Sequence, residues 1–270
     1  MNELRFTKMH GIGNDYIYFT EMPCAPEKLP ELSRRLSDRH RSVGGDGIIL
    51  VLPSDKADFQ MRIFNADGSE ARMCGNGSRC VGKLVYDKHL TSKLELTLET
   101  LSGIKHLRLH PGRDGRIESV TVNMGKVSVQ PAVELETSAG PMSVIPVDMG
   151  NPHGVVFIEG DPDEFDVHGI GAELEHNPYW ADRANIEFVQ VKGSGCLKMR
   201  VWERGSGETM ACGTGACAVA SAAWFAGYCG SESRVSLPGG DLEIKILPDL
   251  TVLMTGGATT AFHGRVELEI

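Results

Sequence analysis

The chain has 270 residues, of which 41% are hydrophobic, and a formal net charge of -9 at pH 7. This acidic balance argues against binding to nucleic acid or to an anionic membrane surface. The sequence has neither a stretch of about 18 apolar residues nor a signal peptide, so a cytoplasmic protein is expected. Its 7 cysteines are irregularly spaced, which favours reduced thiols over a disulfide framework.

In chain order, the first half predicts short strands with two helices. Leu29, Leu32 and Leu36 recur at helical spacing, which predicts a surface helix at 26–39. The apolar spacing that begins at Cys80 predicts a second helix at 76–88. Strands are predicted at 4–9, 16–19, 48–52, 59–64, 94–98, 104–109 and 117–122.

The second half predicts a similar mixture, and its helix at 215–226 is apolar nearly all round. Such a helix has to be enclosed on every side. We therefore predict an α+β fold of two pseudo-symmetric, barrel-like halves, each a curved and mostly antiparallel sheet around a central helix. Strands are predicted at 144–147, 155–158, 186–191, 197–202, 235–237, 242–247, 252–255 and 265–270.

The turn at 111–115 is the predicted boundary between the halves. The N-terminal half is expected to comprise residues 1–113, joined by a C-terminal strand at 259–270, and to carry Cys74. The C-terminal half is expected to comprise residues 114–258 and to carry Cys212. Each half is long enough to bury its own core.

A near copy of the segment at 65–80 recurs 138 residues later, which indicates a duplicated chain. At this shift Cys74 corresponds to Cys212, and each cysteine begins the pattern C-G-x-G ahead of a predicted helix. An earlier pair, Gly13-Asn14 and Gly150-Asn151, repeats at a shift of 137. The other matched residues are Arg62 with Arg200, Ile63 with Val201, Phe64 with Trp202, and Glu70 with Glu208.

Cysteine at a helix N-terminus points to acid–base chemistry. The positive end of the helix dipole commonly lowers the pKa of a thiol there, which supplies a thiolate base. Glycines on either side let backbone N–H groups approach an anion, so 75–77 and 213–215 are predicted to bind a carboxylate. Two such cysteines facing each other could remove a proton from one face of a carbon and return it to the other.

Three other interpretations compete with this one. Either cysteine could be a small buried hydrophobic residue. A metal site could use the pairs Cys74/Cys80 and Cys212/Cys217, although their spacing does not fit C-x(2 to 4)-C. A redox pair lacks the C-x-x-C pattern.

Five motifs together resemble the diaminopimelate epimerase family: MHGIGNDY, FNADGSEARMCGNGSRC, MGNPH, RANIEFVQ and WERGSGETMACGTGACA. The resemblance extends from residue 8 to about residue 265. It implies an epimerase that interconverts LL- and meso-diaminopimelate for lysine and peptidoglycan synthesis. It also implies a homodimer, with no PLP, no other cofactor and no metal.

Carried over by motif, Cys74 and Cys212 are the acid–base pair. His153 and Glu203 are expected to tune the thiol pKa values, and Phe262 stands where an aromatic dimer residue is expected. In some members a glutamine that contacts substrate occupies the place of Gly47, and that side chain is absent here. The residues expected to bind substrate are Gly75, Asn76, Gly213 and Thr214 at the reacting carboxylate, and Asn14, Asn65, Asn151, Asn185, Glu203 and Arg204 around the remainder.

These residues also have purely structural interpretations. Asn14, Asn65 and Asn151 lie in turn sequences where asparagine often serves the backbone. His153 could be structural, and Glu203 with Arg204 could be a solvated ion pair. The rival enzyme is a two-thiol racemase of proline or hydroxyproline, which needs no site for a distal ammonium group. A cysteine-based metal or redox protein is the rival outside that class.

Overall fold

A computed structural model describes residues 2–268, and the chain forms two compact units. One unit comprises the residues up to Val122 together with those from Gly256 onward, and the other comprises Asn123–Thr255. Residues 269 and 270 of the predicted C-terminal strand lie outside the described residues. Among residues 2–268, no helix has the length and apolar character needed to cross a bilayer.

The first unit contains two α-helices and a short 3₁₀ helix at Pro26–Lys28. Helix α1 packs Leu29, Leu32 and Leu36 into the core, as their spacing predicts. The elements are β1 (Asn2–Gly11), β2 (Asn14–Phe19), α1 (Leu29–Ser37), β3 (Gly47–Leu52), β4 (Phe59–Asn65), β5 (Glu70–Ala71), α2 (Gly75–Asp87), β6 (Glu95–Thr100), β7 (Gly103–Pro111) and β8 (Ile117–Lys126).

The second unit repeats this order of elements after two additional strands, with a 3₁₀ helix at Pro162–Glu164. Its elements are β9 (Ser128–Val129), β10 (Val133–Thr137), β11 (Gly140–Asp148), β12 (Pro152–Phe157), α3 (Val167–Glu175), β13 (Asn185–Gly193), β14 (Cys196–Glu203), β15 (Gly207–Glu208), α4 (Gly213–Phe225), β16 (Glu232–Leu237), β17 (Gly240–Ile246) and β18 (Thr251–Gly257). The chain then forms β19 (Thr259–Leu268), which pairs antiparallel with β1 in the first unit.

Strand pairing repeats between the units. In the first unit β2 and β3 are parallel, and β3 and β4 are antiparallel. In the second unit the corresponding strands β12 and β13 are parallel, and β13 and β14 are antiparallel. In each unit a second parallel pair joins the strand before the buried helix to the strand after it. These pairs are β4–β6 in the first unit and β14–β16 in the second. The turn at 111–115 connects the antiparallel strands β7 and β8.

An arginine–glutamate pair closes the same hairpin in both units. In the first, Arg62 Nε and Nη2 donate to the Glu70 carboxylate at 2.8 and 3.1 Å. In the second, Arg200 Nε and Nη2 donate to Glu208 at 2.5 and 2.8 Å. These two-point hydrogen bonds fix the ends of the loop that leads into each cysteine.

Both central helices are surrounded by strands of their own unit. Helix α2 contacts β1, β2, β7 and β19, while α4 contacts β9, β11 to β14, β16 and β17. The residues of α4 from Gly215 to Ala223 are buried on every side. The predicted α+β class, with a mostly antiparallel sheet around a central helix in each half, is confirmed.

Helix α3 and strand β10 are absent from the predicted elements. Gly169 and Gly171 lower the helical propensity of α3, so the local sequence alone favours it weakly. The side chain of Asp166 caps its N-terminus by accepting from the Gly169 N–H at 2.9 Å. Gly171 is needed because a Cβ there would lie 2.6 Å from Trp202 Cβ. Tertiary packing therefore decides this helix.

The enclosure of α4 predicts that a larger side chain inside it lowers the stability of the protein. Ala220 is 0% exposed, so Ala220→Leu would overpack the unit and is expected to lower the free energy of unfolding by about 1–3 kcal/mol. Ala226→Leu is the matched control, because Ala226 is exposed at the end of the same helix, and its effect should stay within about 0.5 kcal/mol. Urea unfolding measures both, and equal losses would contradict the enclosure argument.

Candidate active site

Cys74 is the N-cap residue of α2, with an extended backbone at φ -139° and ψ 116°. The Gly77 N–H donates to its sulfur at 3.2 Å. A Cβ added at Gly77 would lie 3.5 Å from this sulfur and 2.7 Å from Ile49 Cδ1. Glycine at this position therefore leaves room for the Ile49 side chain against the first turn of the helix. The thiol lies over the same turn, where backbone N–H groups have no partner within the helix.

Asn14 connects Cys74 to the carboxylate of Asp46. The Asn14 Nδ2 donates to Asp46 at 2.7 Å, and Asp46 also accepts from the Asp15 N–H at 2.9 Å. This bond directs the Asn14 Oδ1 toward Cys74, whose thiol donates to it at 3.4 Å. Asp46 thus orients the amide that contacts the thiol.

The other predicted residues of the first unit have partners of their own. Tyr16 donates to the Asn65 Oδ1 at 3.5 Å, and the Asn65 Nδ2 donates to Ser69 at 3.1 Å. Asn76 is buried beside Gly75 in the first turn of α2, where its Oδ1 accepts from Arg79 at 2.9 Å.

Gly47 pairs with Asn65 where β3 meets β4. A Cβ at Gly47 would collide with the carbonyl oxygen of Phe64. The backbone at this point therefore requires glycine, and position 47 offers no side chain to a substrate.

Cys212 occupies the matching N-cap of α4 and is buried, whereas Cys74 is half-buried. Its sulfur lies 3.6 Å from the Thr214 hydroxyl. The Glu203 carboxylate also bonds the Cys212 thiol and accepts from the Thr209 hydroxyl at 2.5 Å. Glu203 and Thr214, both predicted from the sequence, thus meet at this sulfur beside Gly213.

His153 lies in a fully buried pair beside this group. Its Nδ1 lies 2.7 Å from the Glu187 Oε1, and both side chains are 0% exposed. Its Nε2 lies 3.2 Å from the Asn151 Oδ1. The predicted residues Asn151 and His153 are therefore in contact, and Glu187 joins them.

Arg204 begins the loop after β14. Its backbone N–H donates to the Asn185 Oδ1 at 2.8 Å, and its guanidinium donates to the Asp182 carboxylate at 2.7 Å. The Gly205 N–H donates to the buried Glu175 at 3.0 Å, which holds this loop against α3. The guanidinium is thus already placed to bind a carboxylate.

The electrostatics of Cys212 contradict one expectation. Burial raises the pKa of the Cys212 thiol well above its ordinary value, and the charges of Glu203 and Glu187 raise it further. Hydrogen bonds from Thr214 and Gly215 act in the opposite direction but are weaker. The expected lowering of this pKa by the helix is therefore wrong for Cys212 in the ligand-free protein, because burial and two carboxylates outweigh the helix end.

Two residues of the site were missed from the sequence. Asp46 lies in the glycine-rich stretch Gly44-Gly45-Asp46-Gly47, which by itself does not indicate a site residue. Glu187 interrupts the buried run Ile186, Phe188 and Val189. A charged residue in an apolar strand is rarely buried without a role, and that signal could have identified Glu187.

Comparison with known proteins decides the family. The sequence matches the profile of the family described as "Diaminopimelate epimerase" over residues 6–130 and 145–261. The chain belongs to the diaminopimelate epimerase family. It is 50% identical to the diaminopimelate epimerase of Bacteroides thetaiotaomicron, with 98% of each chain covered. It is 46% identical to that of Methanococcus maripaludis, with 98% of this chain and 100% of the relative covered.

Solved structures agree on the fold. A PhzF-family phenazine biosynthesis protein of Bacillus anthracis superimposes with a TM-score of 0.79 at 16% identity, covering 99% of this chain and 100% of that one. A hydroxyproline epimerase of Agrobacterium vitis gives 0.74 at 17% identity, covering 98% and 92%. At this identity the likeness concerns the fold alone, whereas membership of the diaminopimelate epimerase family rests on the sequence relatives.

The environment of Glu203 predicts how the free energy of unfolding depends on pH. Burial raises the pKa of its carboxyl above the ordinary 4.5, so the charged form is disfavoured in the folded state. The resulting loss of stability is present above the raised pKa and disappears as the pH falls below 4.5. Glu203→Gln is therefore expected to raise the free energy of unfolding at about pH 8, with the gain shrinking toward acid pH.

Urea unfolding across this pH range measures the gain. Glu208→Gln is the control, because it removes a carboxylate paired with Arg200 and should not stabilise the chain at any pH. A Glu203→Gln chain that is less stable than the parent at alkaline pH would contradict the expectation.

Proposed function

We propose that this protein interconverts LL- and meso-2,6-diaminopimelate, with Cys74 and Cys212 as base and acid at the same α-carbon and without a cofactor. The observation that carries the proposal is that each repeat places a thiol at the N-cap of a buried helix, beside a hydrogen-bonding side chain. This side chain is Asn14 at Cys74 and Glu203 at Cys212.

In the proposed reaction a cysteine thiolate takes the α-hydrogen as a proton, and the electron pair of the broken C–H bond moves toward the carboxylate. The other cysteine, as a thiol, donates its proton to the opposite face of the carbon. Configuration is inverted, and the pair ends with its proton on the first cysteine. In the reverse direction the two cysteines exchange roles.

Backbone N–H groups at the two helix ends would bind the reacting carboxylate. The N–H groups of 75–77 and 213–215 lie where the helix dipole favours negative charge. Charge that builds up on the carboxylate as the proton leaves would be stabilised more strongly than in the substrate itself, which lowers the barrier.

The distal amino acid group of diaminopimelate presents a carboxylate and an ammonium. Arg204 already binds the carboxylate of Asp182, a residue with an 83% exposed side chain that substrate could displace. Glu203 can accept from an ammonium, and the side chains of Asn65, Asn151 and Asn185 can serve either group. Proline and hydroxyproline lack a distal amino acid group, so Arg204 and Glu203 favour diaminopimelate.

The proposal places the protein in the cytoplasm, in the synthesis of lysine and peptidoglycan precursors. It also includes a homodimer in which Phe262 contributes to the interface. Phe262 on β19 is 47% exposed and packs edge-on against Phe6, with ring centroids 6.0 Å apart. A large exposed aromatic residue held in this way is typical of a protein interface.

Proton NMR of LL-diaminopimelate in deuterated buffer tests the reaction. The pure protein, without added PLP or metal, is expected to exchange the α-proton for deuterium and to form the meso isomer. Cys74→Ala and Cys212→Ala should each lower kcat by at least about 10²-fold, because each removes an acid–base group.

Cys196→Ala is the control, since Cys196 is exposed on β14 and should keep its activity. Substantial epimerisation by either Cys74→Ala or Cys212→Ala would refute the two-base scheme. Turnover that a chelator abolishes would favour a metal-dependent reaction instead.

The dimer has a separate test. Phe262→Asp places a charge on the proposed interface and is expected to convert the dimer into a monomer, as measured by light scattering after size-exclusion chromatography. Leu101→Asp is the matched control, because Leu101 is 54% exposed at a hairpin turn of the same unit. Loss of the dimer in both variants, or in neither, would exclude a specific role for Phe262.

A further inference from the structure

Glu187 is a buried acid with an incomplete set of partners. It lies on β13 between Ile186 and Phe188, and all three are 0% exposed. Its Oε1 lies 2.7 Å from the His153 Nδ1, whereas its Oε2 has no hydrogen-bond partner among the residues described. Burying a carboxylate in this way is costly, so its retention calls for a chemical reason.

The position of Glu187 relative to α4 gives a chemical reason for its burial. A Cβ added at Gly215 would lie 2.7 Å from the Glu187 Oε1 and 3.3 Å from the Cys212 sulfur. The carboxylate and the sulfur therefore both pack against the same glycine, in the first turn of the helix that Cys212 caps.

The first unit has the same geometry without the charge. At Gly77 the corresponding neighbours are Ile49 Cδ1 at 2.7 Å and the Cys74 sulfur at 3.5 Å. Ile49 corresponds to Glu187 at the shift of 138. The duplicated halves thus place different groups at one position, an alkyl group beside Cys74 and a carboxylate beside Cys212.

On the adjacent strand, a residue near this position also differs between the two units. Tyr16 pairs with Gly47 on β2 and β3, and His153 pairs with Asn185 at the corresponding point of β12 and β13. Tyrosine in the first unit is therefore replaced by histidine in the second, which can donate to Glu187. Both changes occur only beside Cys212.

We propose that Glu187 is a positioning residue that holds His153 in place and, through its charge, makes Cys212 the cysteine that carries the proton before substrate binds. A carboxylate near a thiol opposes formation of a second negative charge on sulfur. The titratable side chains around Cys212 are Glu203 from β14 and Glu187 from β13, and His153 from β12 contacts Glu187. The two carboxylates favour the thiol form.

The raised pKa of Cys212, to which Glu187 contributes, agrees with this geometry. The inference rests on the proposed function, since it assigns the resting acid of that reaction. In this assignment Cys74 provides the first base and Cys212 the first acid. The duplicated site is thereby prepared for one direction of proton transfer before a ligand arrives.

The test is the pH dependence of Cys212 alkylation by iodoacetamide in the absence of substrate, followed by mass spectrometry of the peptide. The thiolate is the reactive form. Glu187→Gln keeps the shape of the side chain and removes its charge, so the alkylation midpoint is expected to fall by about one pH unit. At a fixed pH below both midpoints, alkylation should be roughly tenfold faster.

Two variants provide the controls. Glu187→Asp retains the charge and should keep a midpoint close to that of the parent, while Glu232→Gln removes an exposed carboxylate that Lys245 binds and should leave the midpoint unchanged. An unchanged midpoint in Glu187→Gln would overturn the proposal, and so would the same fall in all three variants.

If the Glu187→Gln chain does not fold, the double variant His153→Tyr with Glu187→Ile provides the same measurement. It installs the residue pair that the first unit carries at the matching positions, and the midpoint should again fall. Because alkylation needs no substrate, its result is independent of the NMR assay. Failure of the Glu187 assignment can therefore be distinguished from failure of the proposed function.

Discussion

The contact between a cysteine sulfur and the first turn of a buried helix is the constraint on which both units depend. Three positions after each cysteine, Gly77 and Gly215 leave room for a side chain of the neighbouring strand, since an added Cβ would lie 2.7 Å from Ile49 Cδ1 or from the Glu187 Oε1. The helix must also stay fixed, and the enclosing strands provide this by covering α4 on every side. Fold and chemistry thus share one requirement, since the packing that buries the helix also holds its N-terminus toward the thiol.

Duplication gives the units a common backbone but different surroundings for sulfur. Cys74 is half-buried and donates to the neutral amide of Asn14, which Asp46 orients. Cys212 is buried next to the carboxylates of Glu203 and Glu187. In the proposed reaction the two cysteines hold one proton between them, and identical surroundings would give no preference for either protonation state.

Much of this arrangement could be predicted from the sequence, because local residue patterns specify it. The spacing of Leu29, Leu32 and Leu36 predicts α1, and the apolar composition of α4 predicts its enclosure. Helix α3 escaped prediction because its two glycines weaken the local signal and packing against Trp202 decides the outcome. The pKa of Cys212 could not be predicted for a similar reason, since burial raises it and carboxylates 9 and 25 residues away in the chain raise it further.

The paired hydrogen bonds between Arg62 and Glu70, and between Arg200 and Glu208, have a consequence for how such a site can diverge. Each pair ties together the two ends of a short loop, so the residues inside the loop can be exchanged without displacing the cysteine that follows. Arg204 lies inside one of these tied loops. Under the proposed function, natural variation in this loop can alter which molecule is recognised while the position of Cys212 is inherited intact.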